Sequence, residues 1–144
     1  MRQTNRVLTK ETPYDIMVSM VYGWLRPETR ELRIVNAGHE PVFICREGRC
    51  IDVYPTGPVL GVTEADYEET LVQLEKDDTV FFGSDGIIEA GITEPFGLER
   101  LKELVLKHAS LDADQLADTV VQAVSDYAEQ PHDDISLLVV KVTE

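Results

Sequence analysis

The chain has 144 residues, of which 43% are hydrophobic and 28% are charged. This length suits one ordinary domain that buries a core without structural metals, and the composition argues against disorder. The 27 acidic residues outnumber the 13 Lys and Arg residues and give a formal net charge of -14 at pH 7. Such a charge argues against nucleic acid and anionic membranes as partners.

No apolar run in the sequence is long enough to cross a bilayer. The opening residues, MRQTNRVLTKE, also lack the apolar stretch of a signal peptide. We therefore predict a cytoplasmic protein with no membrane partner.

The first half of the chain predicts a succession of antiparallel strands. An apolar stretch over residues 14–25 ends at the turn sequence RPET and is followed by the alternating segment ELRIVNAG. The segments PVFIC and CIDVY flank the turn REGR and predict a hairpin, in which Gly48 supplies the unusual backbone angle. Two more segments, YEETLVQL and TVFFGSD, continue the strand pattern.

After Pro95 the apolar residues follow a helical period. Two predicted helices each place four apolar side chains on one face: Leu98, Leu101, Leu104 and Val105 in the first, and Leu116, Val120, Val124 and Tyr127 in the second. Asp112 and Gln115 form a predicted capping pair for the second helix. The final stretch, DDISLLVVKV, is strongly β-prone and is predicted to insert into the sheet interior. The sequence therefore predicts one α+β domain over residues 1–144.

The only two cysteines, Cys45 and Cys50, flank the predicted hairpin turn. A cross-hairpin disulfide and a C-x4-C metal site are both open interpretations. A reducing compartment and the lack of a second Cys/His pair nearby favour two free thiols.

Acidic residues stand at two predicted strand boundaries. Asp85 ends the FFGS strand, and the pair Asp133 and Asp134 begins the final strand. If these strands are neighbours, the carboxylates converge at one edge of the sheet, where they suit a hard cation such as Mg2+ or Mn2+. The alternative is structural, because Asp-Gly is a common turn and Asp133 suits a strand end.

Five segments occur in the order NAGHEP, TGPVLGV, FFGSDGIIEA, FGLERL and DDISLLVV. Together they resemble the bacterial PPM class of metal-dependent serine/threonine phosphatases, in the branch of the sporulation stage II phosphatase and the stress-response sigma-regulator phosphatases. The resemblance runs from about Asn5 to Val142. It implies an antiparallel β-sandwich with flanking helices, of which this chain is the C-terminal part, without the N-terminal strands and one helical layer.

The resemblance assigns metal binding to two aspartates. Asp85 matches the aspartate of the family's T/S-D-G motif, and Asp133 matches that of its D-D/N motif, so both are the predicted catalytic and metal-binding residues. Asp134 is a near neighbour that binds the metal or hydrogen-bonds its ligands and waters. Family members use two Mn2+ or Mg2+ ions to activate a water that attacks the phosphorus of phosphoserine or phosphothreonine.

Three accessory residues also match family motifs. His39 either donates a hydrogen bond or a proton to the leaving group, or only stabilises its loop. Gly86 belongs to the Asp-Gly turn. Glu89 is predicted to orient a metal-bound water or to hold the segment that follows.

The family's early motif, which resembles G-D-V-S-G-H-G and carries the aspartate that bridges both metals, has no match in this chain. The sequence TNRVL instead resembles the end of a family helix. The loss of a helical layer would expose an apolar sheet face, so a homodimer is predicted. The alternative is a segment of a longer polypeptide that carries an upstream sensor or receiver domain.

Two functions remain open at this stage. The first is a phosphatase that acts on a phosphorylated signalling protein of the anti-sigma-factor antagonist type. The second is a catalytically inactive relative that binds partners in sigma-factor or sporulation regulation.

Overall fold

The computed structural model describes residues 1–11, 13, 16–128 and 133–143. Its elements in chain order are α1 (Arg2–Glu11), β1 (Met20–Arg26), β2 (Glu31–Ala37), β3 (Val42–Arg46), β4 (Arg49–Asp52), β5 (Thr70–Gln73), β6 (Thr79–Gly83), α2 (Asp85–Ile88), α3 (Leu98–Lys107), α4 (Ala113–Tyr127) and β7 (Leu137–Lys141). None of the helices in these residues has the length and apolarity that a membrane span requires.

The described chain forms two compact units. The first unit consists of Met1–His39 and Val53–Glu75, and the second consists of Glu40–Asp52 and Lys76–Glu144. In the described residues the first unit contains the helix α1 and an antiparallel sheet, and the second contains the helices α2, α3 and α4 and an antiparallel sheet. The α+β class with antiparallel sheets is therefore confirmed.

The sheet of the first unit has the strand order β1-β2-β5. β1 and β2 are joined at the predicted RPET turn, and their register pairs Arg26 with Glu31. β2 alternates, with Leu32 and Ile34 buried, as the period of a half-buried strand requires. The predicted strand over residues 14–25 forms only from Met20, whereas its residues 14 and 15 lie outside the described residues.

Helix α1 begins the first unit, in agreement with the helical end predicted for TNRVL. Its buried Asn5 side chain donates to the carbonyl of Thr63 at 2.9 Å and accepts from the amide of Gly61 at 3.0 Å. A polar group that is buried needs such partners, so Asn5 fixes α1 to the loop that carries the TGPVLGV sequence.

The sheet of the second unit has the strand order β4-β3-β6-β7. The β3–β4 hairpin turns at Glu47 and Gly48, whose φ angles are 48° and 78°. Two consecutive positive φ angles define the turn whose twist matches a hairpin, which confirms the predicted role of Gly48. Cys45 and Cys50 face each other across this hairpin and form a disulfide, so the preference for two free thiols was wrong.

Within the described residues β7 pairs only with β6 and lies at the edge of its sheet. The prediction that this β-prone run inserts into the sheet interior was therefore wrong. Leu138 on β7 is 57% exposed, whereas Phe81 on β6 is fully buried. High β-propensity gives a strand but does not give its position in the sheet, because position depends on which strands pair.

Helices α3 and α4 supply the core of the second unit. Their predicted apolar faces are confirmed, with Leu101, Val105, Leu116, Val120 and Val124 all fully buried. These side chains cluster with the stacked rings of Phe43 and Phe81, whose centroids are 4.9 Å apart. The core holds β3 and β6 in place and thereby fixes the end of β6, where Asp85 follows.

Candidate metal centre

Asp85 is the first residue of the short helix α2, and the N-cap residue Ser84 separates it from the end of β6. Strand β6 ends at Gly83, where a Cβ atom would stand 2.8 Å from side-chain atoms of both Ile87 and Phe81. The absence of a side chain at Gly83 thus allows the chain to pack closely as it turns into the helix. The Asp85 side chain is exposed and accepts a hydrogen bond from the Gly86 amide at 3.0 Å.

Strands β6 and β7 are antiparallel neighbours, and their register pairs Gly83 with Leu137. The end of β6 and the start of β7 consequently lie at the same edge of the sheet. The residues that precede β7 include Asp133 and Asp134. The sequence predicts that the acidic segments converge if their strands are neighbours, and β6 and β7 are neighbours.

Gly86 brings the two acidic segments into direct contact. A Cβ atom on Gly86 would stand 2.6 Å from the carbonyl oxygen of Asp134 and 3.4 Å from the Cβ of Asp133. The first distance is too short for any residue with a side chain, so glycine at this position permits the close approach. Asp85 and Asp133 are thus carried by segments in van der Waals contact.

The three acidic side chains are exposed to solvent. The Asp133 carboxylate accepts from the amide of Asp134 at 2.7 Å, which orients it at the turn into β7. Carboxylate oxygens are the ligands that Mg2+ and Mn2+ prefer, so the donor chemistry fits such an ion. Among the residues that the structure describes, no group of three or more His, Cys, Asp or Glu side chains is arranged to hold a metal. The fit is therefore that of a partial ligand set.

Ser84 also lies at this edge, and the sequence motifs predict no role for its side chain. Its hydroxyl donates to the carbonyl of Asp134 at 3.0 Å and accepts from the amide of Ser136, also at 3.0 Å. Its position directly before the Asp-Gly pair could have indicated these hydrogen bonds, because a serine beside a turn commonly bonds to backbone groups.

Glu89 is exposed and lies at the C-terminal end of α2, where its amide donates to the carbonyl of Asp85 at 2.9 Å. It is therefore one helical turn away from Asp85.

His39 belongs to the first unit. Its ring Nδ1 lies 3.1 Å from the hydroxyl of Ser19, and its amide donates to the side-chain oxygen of Asn36 at 2.8 Å. The buried Asn36 amide group in turn donates to the carbonyls of His39 and Val53. These contacts hold the NAGH turn in one conformation.

The chain matches solved structures of one fold. The phosphatase domain of the cell fate determinant SpoIIE from Bacillus subtilis, presoaked with Mn, is 21% identical and matches 88% of this chain and 57% of that one with a TM-score of 0.66. The SiaA-PP2C domain of Pseudomonas aeruginosa is 20% identical and matches 95% of this chain and 56% of that one with a TM-score of 0.80. The RsbU and RsbW domains of a Mycobacterium tuberculosis protein are 26% identical and match 96% of this chain and 40% of that one with a TM-score of 0.78.

These matches define the fold as that of PPM, or PP2C-type, phosphatase domains, of which this chain spans about half the length. The family model of Stage II sporulation protein E (SpoIIE) matches residues 1–143. The chain therefore belongs to the SpoIIE family, and the resemblance found in its sequence motifs is confirmed. No curated protein gave a significant match.

Proposed function

We propose that residues 1–144 form part of a single metal-dependent protein serine/threonine phosphatase domain, with Asp85 and Asp133 as ligands of Mn2+ or Mg2+. The observation that carries this proposal is the contact between the two acidic segments at Gly86, at the shared edge of β6 and β7. Membership of the SpoIIE family and the PP2C fold support the same reaction class.

Each residue of the edge has a proposed role. Asp85 and Asp133 bind the metal, and Asp134 either contributes a ligand or hydrogen-bonds to ligands and waters. Glu89 orients water beside the site. When bound, a divalent cation lowers the pKa of a coordinated water and neutralises charge on phosphoryl oxygens.

The proposed substrate is phosphoserine or phosphothreonine on a cytoplasmic signalling protein of the anti-sigma-factor antagonist type. The net charge of -14 repels a phosphorylated substrate at long range. A cation at the acidic edge would reverse the sign of the local field where the phosphoryl group must approach.

The test is direct Mn2+ binding by isothermal titration calorimetry together with hydrolysis of a phosphoserine peptide. We expect both to require Asp85, so that Asp85→Asn loses them. The matched control is Asp118→Asn, an exposed aspartate on α4, which should leave both unchanged. Equal Mn2+ binding by the wild type and by Asp85→Asn would overturn the proposed ligand.

A second candidate is a phosphatase-like domain that binds its partner without turnover. It is favoured by the partial ligand set, since the described residues hold no group of three metal-ligating side chains. Mn2+ binding that depends on Asp85 without peptide hydrolysis would support this second function.

We also propose that two copies of the chain associate through the outer face of β1. On this face Tyr22 is 60% exposed and Trp24 is 47% exposed, and Leu71 of β5 adds a further exposed apolar side chain. Ion pairs of Arg33 with Glu31 and Glu69 lie beside the two rings and balance the local charge. The net negative charge of the chain opposes association of two copies. An apolar face whose positive and negative charges cancel is therefore suited to be the interface between them.

A further inference from the structure

The regular pairing of β6 with β7 ends at Gly83 and Leu137, which lie two residues before Asp85 and three residues after Asp134. One more backbone bond follows, from the amide of Ser84 to the carbonyl of Ser136 at 2.8 Å. In an unbroken antiparallel pair the carbonyl of Ser84 would accept the return bond from the amide of Ser136. Here that carbonyl accepts from the amide of Ile87 at 3.1 Å, because the chain has turned into α2.

The Ser84 hydroxyl takes the place of the Ser84 carbonyl as acceptor for the Ser136 amide, because that carbonyl accepts from Ile87. It accepts from the amide of Ser136 at 3.0 Å and at the same time donates to the carbonyl of Asp134 at 3.0 Å. A hydroxyl can do both because it carries one donor and two acceptor lone pairs. An aliphatic side chain of similar size offers neither.

The bond to Asp134 acts on the residue that also contacts Gly86. The Asp134 carbonyl is bonded to the Ser84 hydroxyl and stands 2.6 Å from the position of a Cβ on Gly86. Asp85 lies between Ser84 and Gly86 in the chain, and Asp133 directly precedes Asp134. The position of Asp133 relative to Asp85 therefore depends on the Ser84 hydroxyl.

We propose that Ser84 is a positioning residue that sets the separation of the Asp85 and Asp133 carboxylates. This inference rests on the proposed metal centre. A neighbouring hydrogen bond that orients a ligand typically changes metal affinity by 10- to 100-fold. Ser84 acts through the backbone of residues 134 and 136 and needs no contact with the metal itself.

The experiment measures Mn2+ affinity by electron paramagnetic resonance and calorimetry, with folding checked by circular dichroism. Ser84→Ala should weaken Mn2+ binding about tenfold, whereas Ser84→Thr, which keeps the hydroxyl, should bind as the wild type does. The matched control is Ser110→Ala, an exposed serine between α3 and α4, and it should leave the affinity unchanged.

Each outcome decides the inference. Wild-type affinity in a folded Ser84→Ala chain, with binding lost in Asp85→Asn, would overturn the role of Ser84 and leave the metal centre intact. Absence of Mn2+ binding by the wild type would overturn both. If Ser84→Ala does not fold, Ser84→Cys takes its place, and its weak donor and acceptor should again reduce the affinity.

Discussion

At the scale of single residues, the candidate site depends on two glycines, whose lack of a side chain lets neighbouring segments of the chain approach closely. The Asp134 carbonyl stands 2.6 Å from the Cβ position of Gly86, and the amide of Gly86 bonds the Asp85 carboxylate. Gly83 likewise has no room for a side chain between Phe81 and Ile87. Two glycines thus fix the path of the chain on either side of Asp85.

We predict that Gly86→Ala destabilises the chain and weakens Mn2+ binding together. The added methyl group meets backbone rather than a flexible side chain, so the Asp133 and Asp134 segment must move. Overpacking of this kind typically costs about 1 to 3 kcal/mol. Urea unfolding and calorimetric Mn2+ titration measure the two effects, with Ser110→Ala as the control. An unchanged midpoint and affinity would mean that this contact does not set the site.

At the scale of elements, two polar contacts fix the helices of the second unit. The Asp112 side chain accepts from the amide of Gln115 at 2.8 Å and caps α4, as the sequence predicts. Lys102 on α3 donates to Asp52 on β4 at 3.0 Å and to Glu99 at 3.1 Å. The first contact is local in sequence, whereas the second joins a helix to a strand 50 residues away.

Removal of the cap should cost stability without altering the site. We expect Asp112→Ala to lower the free energy of unfolding by about 1 kcal/mol, because one amide of the first helical turn loses its partner. Asp112→Asn keeps an acceptor oxygen and should retain most of that stability. Urea denaturation followed by circular dichroism makes the comparison. Equal losses in both variants would contradict the assignment of the effect to the cap.

The Lys102 contacts predict a pH dependence at high pH. Burial lowers the pKa of Lys102, but its hydrogen bonds and charge interactions with Asp52 and Glu99 outweigh that effect and raise the pKa above its ordinary value of 10.5. A folded-state pKa that is raised contributes stability below the unfolded value, and this stability is lost as pH rises through the folded value.

Lys102→Met should therefore lower stability at pH 8 by about 1 kcal/mol and flatten the loss of stability above pH 10.5. Urea unfolding at several pH values measures both effects. Lys107→Met, an exposed lysine at the end of the same helix, is the control and should behave as the wild type does. The same pH profile in Lys102→Met as in the wild type would contradict the proposed contribution of Lys102.

At the scale of the whole molecule, the exposed face of β1 combines aromatic side chains with balanced charge. Trp24 is the only tryptophan in the chain, and the guanidinium groups of Arg26 and Arg33 lie 5.0 Å and 6.0 Å from its ring centroid. The remaining surface carries the excess of acidic residues. The balanced charges of this face therefore add little to the repulsion between two copies.

We predict a concentration-dependent dimer that Trp24→Glu dissociates. Sedimentation equilibrium at micromolar concentration should give twice the chain mass of 16.2 kDa for the wild type and the single mass for the variant. Burial of Trp24 should also shift the fluorescence of the wild type to the blue as the concentration rises. Ile92→Glu, at a side chain 68% exposed in the second unit, should remain dimeric. A wild-type monomer throughout this range would refute the self-association.

Much of this architecture could be predicted from periodicity and turn chemistry. Both long helices, the β3–β4 hairpin turn and the Asp112 cap depend on residues close together in sequence. The disulfide between Cys45 and Cys50 was an open interpretation of the predicted hairpin, and the expectation of a reducing compartment wrongly weighed against it. The edge position of β7 was not predicted, because it depends on which strands pair and in which register. The same reason explains why Ser84 was missed: its partners lie 50 and 52 residues away.

The sequence by itself determined the α+β class and the SpoIIE family resemblance, and it supplied Asp85 and Asp133 as the proposed metal ligands. These follow from local patterns and motifs, which each segment carries regardless of its neighbours. Only the tertiary structure decided that the segments of Asp85 and Asp133 touch, since their contact requires β6 and β7 to pair and Gly86 to lack a side chain. The pairing of distant strands is a property of the packed chain, because β6 is held in place by the core that the side chains of α3 and α4 complete.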